Sequence, residues 1–247
     1  MSAVGRVQFA QELALLHDKL DEMALLAKDA ISIAVESLED IDPKKAKQVF
    51  EMDRRMFDLL SEVEQRCLDL IALQSPVARD LRRVGTAFKV VTDLDRIGRY
   101  ATDIAEITMA FPERSHMKRL VSIPHMADLT NGMVQKAVQA LIHEDLALAQ
   151  ELDRDDEAVD SLYDEIYREI VTYMMDGTVK IRTGADYLLV ARYLERIADH
   201  AVNIGDRVIY LVTGQRRVRS AGPPSVPAAM GRPGLPKSGA DSPREEE

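Results

Sequence analysis

Leu194-Glu195-Arg196-Ile197-Ala198-Asp199-His200-Ala201-Val202-Asn203-Ile204-Gly205-Asp206 has a copy one hundred residues upstream: Leu94-Asp95-Arg96-Ile97-Gly98-Arg99-Tyr100-Ala101-Thr102-Asp103-Ile104-Ala105-Glu106. Five of the thirteen positions are identical, and five more are conservative exchanges such as Asp95/Glu195 and Gly98/Ala198. Self-similarity at a fixed offset marks a duplicated unit. In the downstream copy Leu194, Ile197, Ala201, Ile204, Val208 and Leu211 step 3, 4, 3, 4, 3, the seam of a helix packed in a bundle.

Outward from that stretch the duplication continues. Ala34-Val35, Leu38, Asp42, Ala46 and Asp53 recur 103 residues on as Ala137-Val138, Leu141, Asp145, Ala149 and Asp156. The apolar positions Leu13, Leu16, Leu20, Met23, Ala27, Ala30, Ala34 and Leu38 step by three and four, which predicts one long helix over 8–40. Asp42-Pro43 and Ser75-Pro76 each read as an N-cap followed by proline in the first helical turn. They open helices running to about Leu73 and Ala110, where Phe111-Pro112 stops the third. The second half repeats the plan over 124–142, 145–176 and 180–212, with Asp176-Gly177 as a break. Short connections between long helices favour antiparallel neighbours.

The expected architecture is all-α: two tandem antiparallel three-helix bundles, residues 1–112 and 124–214, joined by a linker at 113–123. A tail at 215–247 holds six prolines, four glycines and no aromatic residue. It is expected to be disordered, because it offers too little apolar area to offset its ordering entropy.

Composition narrows the function classes. The net charge of −10 argues against general nucleic-acid binding and against attraction to anionic lipid headgroups. No run approaches the ~20 apolar residues that span a bilayer, and no secretory leader is visible at the N-terminus. The single Cys67 excludes an internal disulfide and, set among Leu68, Leu70 and Ile71, reads as a buried thiol in a cytoplasmic protein.

Acidic residues are the candidate chemistry. On a helical wheel at about 100° per residue, Asp199 lies nearly opposite the seam, and Glu195, Asn203 and Asp206 share its outer face. Like charges at i,i+4 repel, so arginines or a cation must offset them. Asp156 and Asp160 form a second pair at that spacing on the fifth helix, and four carboxylates converge if helices five and six are neighbours. Hard oxygen ligands of that number suit iron, manganese, magnesium or calcium. Arg192 and Arg196 are equally placed to neutralise the group. The basic cluster Arg79, Arg82, Arg83 reads as ordinary helix-surface charge, and His200 as a surface or interface residue.

Glu195 to Asp206 followed by Arg207-Val208-Ile209-Tyr210-Leu211-Val212-Thr213-Gly214 resembles the end of PhoU proteins, the phosphate-uptake regulators. Leu73-Gln74-x-Pro76-Val77-Ala78-x-Asp80-Leu81-Arg82, Phe9-x-x-Glu12-Leu13 and Asp155-Asp156-Glu157-x-Val159-Asp160 extend the likeness over residues 8–214. The resemblance implies paired three-helix bundles, homodimers, and no enzymatic activity. It also implies negative regulation of phosphate uptake and of the phosphate-starvation response. The partners it implies are the ATPase subunit of a phosphate importer and the sensor histidine kinase of a two-component system. Several members carry metal clusters on paired Glu/Asp-x-x-x-Asp motifs. Carried over, the metal set of the second bundle is Asp156, Asp160, Glu195 and Asp199 with Asn203. In the first bundle Phe57 and Arg99 replace the second carboxylates, leaving Asp53 and Asp95, with Asp103 a turn on. The expectation is at most one metal site, in the second bundle, with Arg99 pairing with Asp95 or Asp103.

The alternative is a di-iron-like carboxylate protein with storage or oxidase activity, which needs Glu-x-x-His on each of two helices. The chain has one copy, Glu113-Arg114-Ser115-His116, in the expected linker. A Gly-x-x-x-x-Gly-Lys-Ser/Thr phosphate loop is absent from the sequence.

Overall fold

The computed structural model describes residues 3–111 and 122–217, with side chains from Arg6 onward. Most of the expected linker, its Glu113–His116 motif, and the tail beyond 217 lie outside the described residues. Among the described residues the chain forms six α-helices and no strand: α1 (Ala3–Glu39), α2 (Pro43–Gln74), α3 (Arg79–Ala110), α4 (Ser122–His143), α5 (Leu146–Met175) and α6 (Ile181–Thr213).

The first turns of α2 and α5 are built on the same plan. Asp42 caps α2 by accepting from the Lys44 N–H, and Asp145 caps α5 by accepting from Ala147 and Leu148. Each cap residue donates its own N–H five residues back, Asp42 to Ser37 and Asp145 to Ala140, both at 2.8 Å. Ile41 and Glu144, 103 apart, both adopt positive φ, 48° and 51°. An L-residue is held there only where surrounding bonds over-determine the backbone.

Ser75-Pro76 does not open α3 as the sequence suggests. Ser75 is the left-handed C-cap of α2, donating to Ile71, and α3 starts at Arg79 behind Ala78 at φ 48°, ψ −112°. Pro76 is buried, so its ring serves packing rather than a first helical turn.

Within each copy all three helices touch, and the copies join through α1 against α4 and α3 against α6. Both joints are antiparallel. Asp21 meets Gln139 while Ser32 meets Asn131, and Asp93 meets His200 while Tyr100 stacks on Tyr193. The copies share one continuous apolar core, from Phe9 through Leu94 and Ile97 to Leu194, Val208 and Leu211. Four helices thus form an inner layer, with α2 and α5 outside it on either flank. Cys67 is fully buried within this core, and burial pushes its thiol up to about 12. No helix among the described residues is long and apolar enough to cross a membrane.

Candidate functional site

α5 and α6 pack directly, and Asp160 lies close enough to Asp199 and Glu195 for their charges to interact. Burial raises the Glu195 carboxyl above its usual range and the nearby Asp199 adds to that, against the pull of Arg192 and Arg196. Asp160 is raised by desolvation first, then by Asp199 and Asp164. Charges of one sign thus crowd across the α5/α6 seam, in the direction burial and like charge dictate.

Arginines answer that crowding. Arg192 donates to Glu195 Oε1 at 2.6 Å, and Arg196 donates to Asp199 Oδ2 at 3.0 Å, each one turn away on α6. Arg196 Nε also lies 3.8 Å from Glu195 Oε2. Glu195 is not on an outer face as the wheel suggests. It is 5% exposed, because α6 is buried on several sides by α3, α4 and α5 together. Asp156 stays half-buried one turn before Asp160, while Asn203 turns to a groove against α3.

Among the described residues no three His, Cys, Asp or Glu side chains are grouped so as to hold a metal ion. With two guanidiniums bound to the carboxylates, the set as it stands does not fit a cation.

The first copy has a matching acidic group with a built-in cation. Arg99 donates to Asp53 Oδ2 at 2.7 Å, bridging α3 to α2, rather than to Asp95 or Asp103. Asp95 and Asp103 are both raised chiefly by burial. One arginine serves several carboxylates here. Asp53 Oδ1 and Asp95 Oδ1 are buried with no hydrogen-bond partner among the described residues.

Two polar clusters join the copies. Asp93 on α3 is 5% exposed and accepts from His200 Nδ1 at 3.0 Å and Arg207 Nε at 2.8 Å, both on α6. Its repeat position is Tyr193, which stacks on Tyr100, the repeat position of His200. A hydrogen-bonded Asp–His pair and an aromatic pair therefore occupy equivalent places about the joint. At one end of the molecule Glu144 accepts from Arg83 Nε at 2.5 Å and from Arg79. Burial alone would raise Glu144, but these two arginines outweigh it and hold the carboxyl low. Arg79 and Arg83 are thus inter-copy clamps, not plain surface charge. Asp93 carried no signal in the sequence, because a single acid amid Val90, Val91 and Leu94 acquires its partners only through the fold.

Comparison with known proteins adds the remaining evidence. A family model described as the PhoU domain matches twice, over residues 20–108 and 123–208. The chain is 34% identical over 209 residues to the "Phosphate-specific transport system accessory protein PhoU homolog" of Clostridium acetobutylicum, covering 84% of this chain and 95% of that one. It is 33% identical to homolog 1 of Thermotoga maritima, covering 86% of this chain and 92% of that protein. The crystal structure of PhoU from Pseudomonas aeruginosa superposes with a TM-score of 0.79 at 35% identity, over 84% of this chain and 100% of that one. PhoU from Streptococcus pneumoniae gives 0.79 at 27% identity, over 85% and 100%. With both halves of its duplication matched and relatives aligned over nearly their full lengths, this chain belongs to the PhoU family.

Proposed function

We propose that the chain is a negative regulator of phosphate uptake and of the phosphate-starvation response. It works in the cytoplasm, as a homodimer, by contact with the ATPase subunit of a phosphate importer and with a sensor histidine kinase. The observation that carries this reading is the coverage. Relatives named as accessory proteins of phosphate-specific transport align over 92–95% of their length, across both halves of the duplication. The role is regulatory rather than enzymatic. A rigid six-helix unit offers long outer faces on α2 and α5, to which partner domains can dock. Affinity capture from cells grown at high and at low phosphate tests the reading. Recovery of an importer ATPase or a sensor kinase, in amounts that change with phosphate, supports it. Recovery of neither overturns it.

The crowding of Asp160, Glu195 and Asp199 favours a second reading beside it. These residues, with Asp156, would take up iron, manganese or magnesium if Arg192 and Arg196 released the carboxylates. Elemental analysis of protein purified without chelator decides. Metal lost in Glu195→Gln and kept in Asp95→Asn supports the second-copy site. The reverse pattern, or no metal in the parent protein, removes it.

A further inference from the structure

Because α3 and α6 run antiparallel, the first turns of α3 lie against the last turns of α6 at one end of the molecule. At the other end their roles are exchanged. The first end holds a cavity of about 480 Å³ between the two helices, lined by Arg82, Thr86 and Lys89 from α3 and by Asn203, Asp206 and Arg207 from α6. Duplication made the two ends equal, and divergence has given them opposite charge. Lys89 has become Leu189 in the other copy, Arg207 corresponds to Ile107, Thr86 to Asp186 and Asn203 to Asp103. Only the Arg82/Arg182 and Asp206/Glu106 positions keep their sign. One end thus carries three basic groups against one acid, the other one basic group against three acids. The chain continuing past α6 then adds Arg216 and Arg217 to the basic end.

Part of that charge is already committed. Arg207 is held by Asp93, and Arg217 donates to Asp153 at 2.6 Å beside Asp206. Arg82, Lys89 and Arg216 pair with no acid among the described residues. The Arg82 Nε is buried and finds no acceptor among them, and the Arg216 guanidinium lies over the Tyr210 ring at 5.6 Å. A buried donor left unmet costs free energy that an incoming acceptor returns. Two planar guanidinium forks and an ammonium on a long stem match several oxygens of a polyanion, more than one carboxylate supplies. The positive end of the α3 dipole adds to the same field. The cavity volume falls within the range of small-ligand sites.

We propose that this groove binds a small phosphorylated molecule, with its phosphoryl oxygens taken by Arg82, Lys89 and Arg216. The chemistry is that of inorganic phosphate or of the phosphates of a nucleotide whose base lies against Tyr210. The inference goes beyond the regulatory reading and does not depend on it.

Calorimetric titration of the full chain with inorganic phosphate and, separately, with ATP tests it. Parent protein, the double variant Arg82→Ala/Lys89→Ala and the opposite-end variant Arg182→Ala are compared, each first shown to melt as the parent does. Saturable binding of at least one probe is expected, weakened tenfold or more in the double variant, unchanged in Arg182→Ala, and weaker as salt is raised. Equal affinity for both probes identifies the phosphoryl group alone as the ligand. Tighter ATP binding that Tyr210→Ala abolishes identifies a nucleotide. No saturable binding of either probe, or binding that the double variant retains, overturns the proposal.

Discussion

Asp93 accepts hydrogen bonds from two side chains of the other copy, His200 and Arg207, and is nearly closed to solvent. Replacing a buried, doubly hydrogen-bonded carboxylate leaves its partners facing a neutral amide. Asp93→Asn is expected to cost about 2–3 kcal/mol in urea unfolding, and a loss no larger than that of the half-buried Asp95→Asn would count against this role. Glu144 and Asp160 make a matched test of sign. Glu144 is held low by Arg83 and Arg79, so its contribution is present above the ordinary carboxyl range and lost as pH falls through the folded value. The deficit of Glu144→Gln should therefore be largest at pH 7 and shrink as pH falls below the ordinary carboxyl value of about 4.3. Asp160 is raised by burial and by Asp199, so its contribution is present at low pH and lost as pH rises through the folded value. Asp160→Asn should gain stability over the parent at pH 7 and lose that gain below about pH 4. Urea midpoints between pH 3 and 7 read both, and slopes of the same sign would refute the assignment.

At the scale of elements, the helices are set by turn chemistry that recurs and by close approaches that do not. A Cβ added at Gly205 would meet Leu152 Cδ1 at 2.7 Å and the Ala149 carbonyl oxygen at 3.1 Å, so α5 and α6 touch through backbone there. At Gly132 on α4 an added Cβ meets nothing within 4 Å. Gly205→Ala should thus destabilise by about 1–3 kcal/mol through overpacking, whereas Gly132→Ala should stabilise by about 0.5–1 kcal/mol by restricting the unfolded chain and improving helix propensity. Thermal melts of the two variants should move in opposite directions. A neutral Gly205→Ala would mean that the helices can part at no cost.

For the whole molecule, duplication has not produced two independent bodies. One apolar core runs through both copies, and the joint is fixed by Asp93, by the Glu144 clamp and by Ser32–Asn131. Cutting the chain at the linker would expose the inner faces of α1 and α3 together. Heating is expected to give one transition with a calorimetric to van't Hoff enthalpy ratio near ~1. Two resolved transitions would show that the copies fold separately and that the shared core matters less than its extent suggests.

The helices, their order and the duplication were legible before the fold, because the 3–4 spacing of Leu94, Ile97, Ala101 and Ile104 and the Asp42 and Asp145 caps are local and periodic. The sequence also placed Arg192 and Arg196 beside Glu195 and Asp199, since residues three and four apart on a helix are neighbours. What those residues face depends on how the helices pack. A helical wheel knows one buried stripe, but α6 is enclosed by three helices, so Glu195 went inward. Ser75-Pro76 matched a helix start yet ends α2, because the packing of buried Pro76 holds Ser75 in a left-handed C-cap that its residue type does not announce. Arg79, Arg83, Asp93 and the groove at Arg82 depend on which copy lies against which, and in which direction. A repeat in sequence says that two units are alike, while the antiparallel joint between α3 and α6 gives their equivalent positions unequal neighbours.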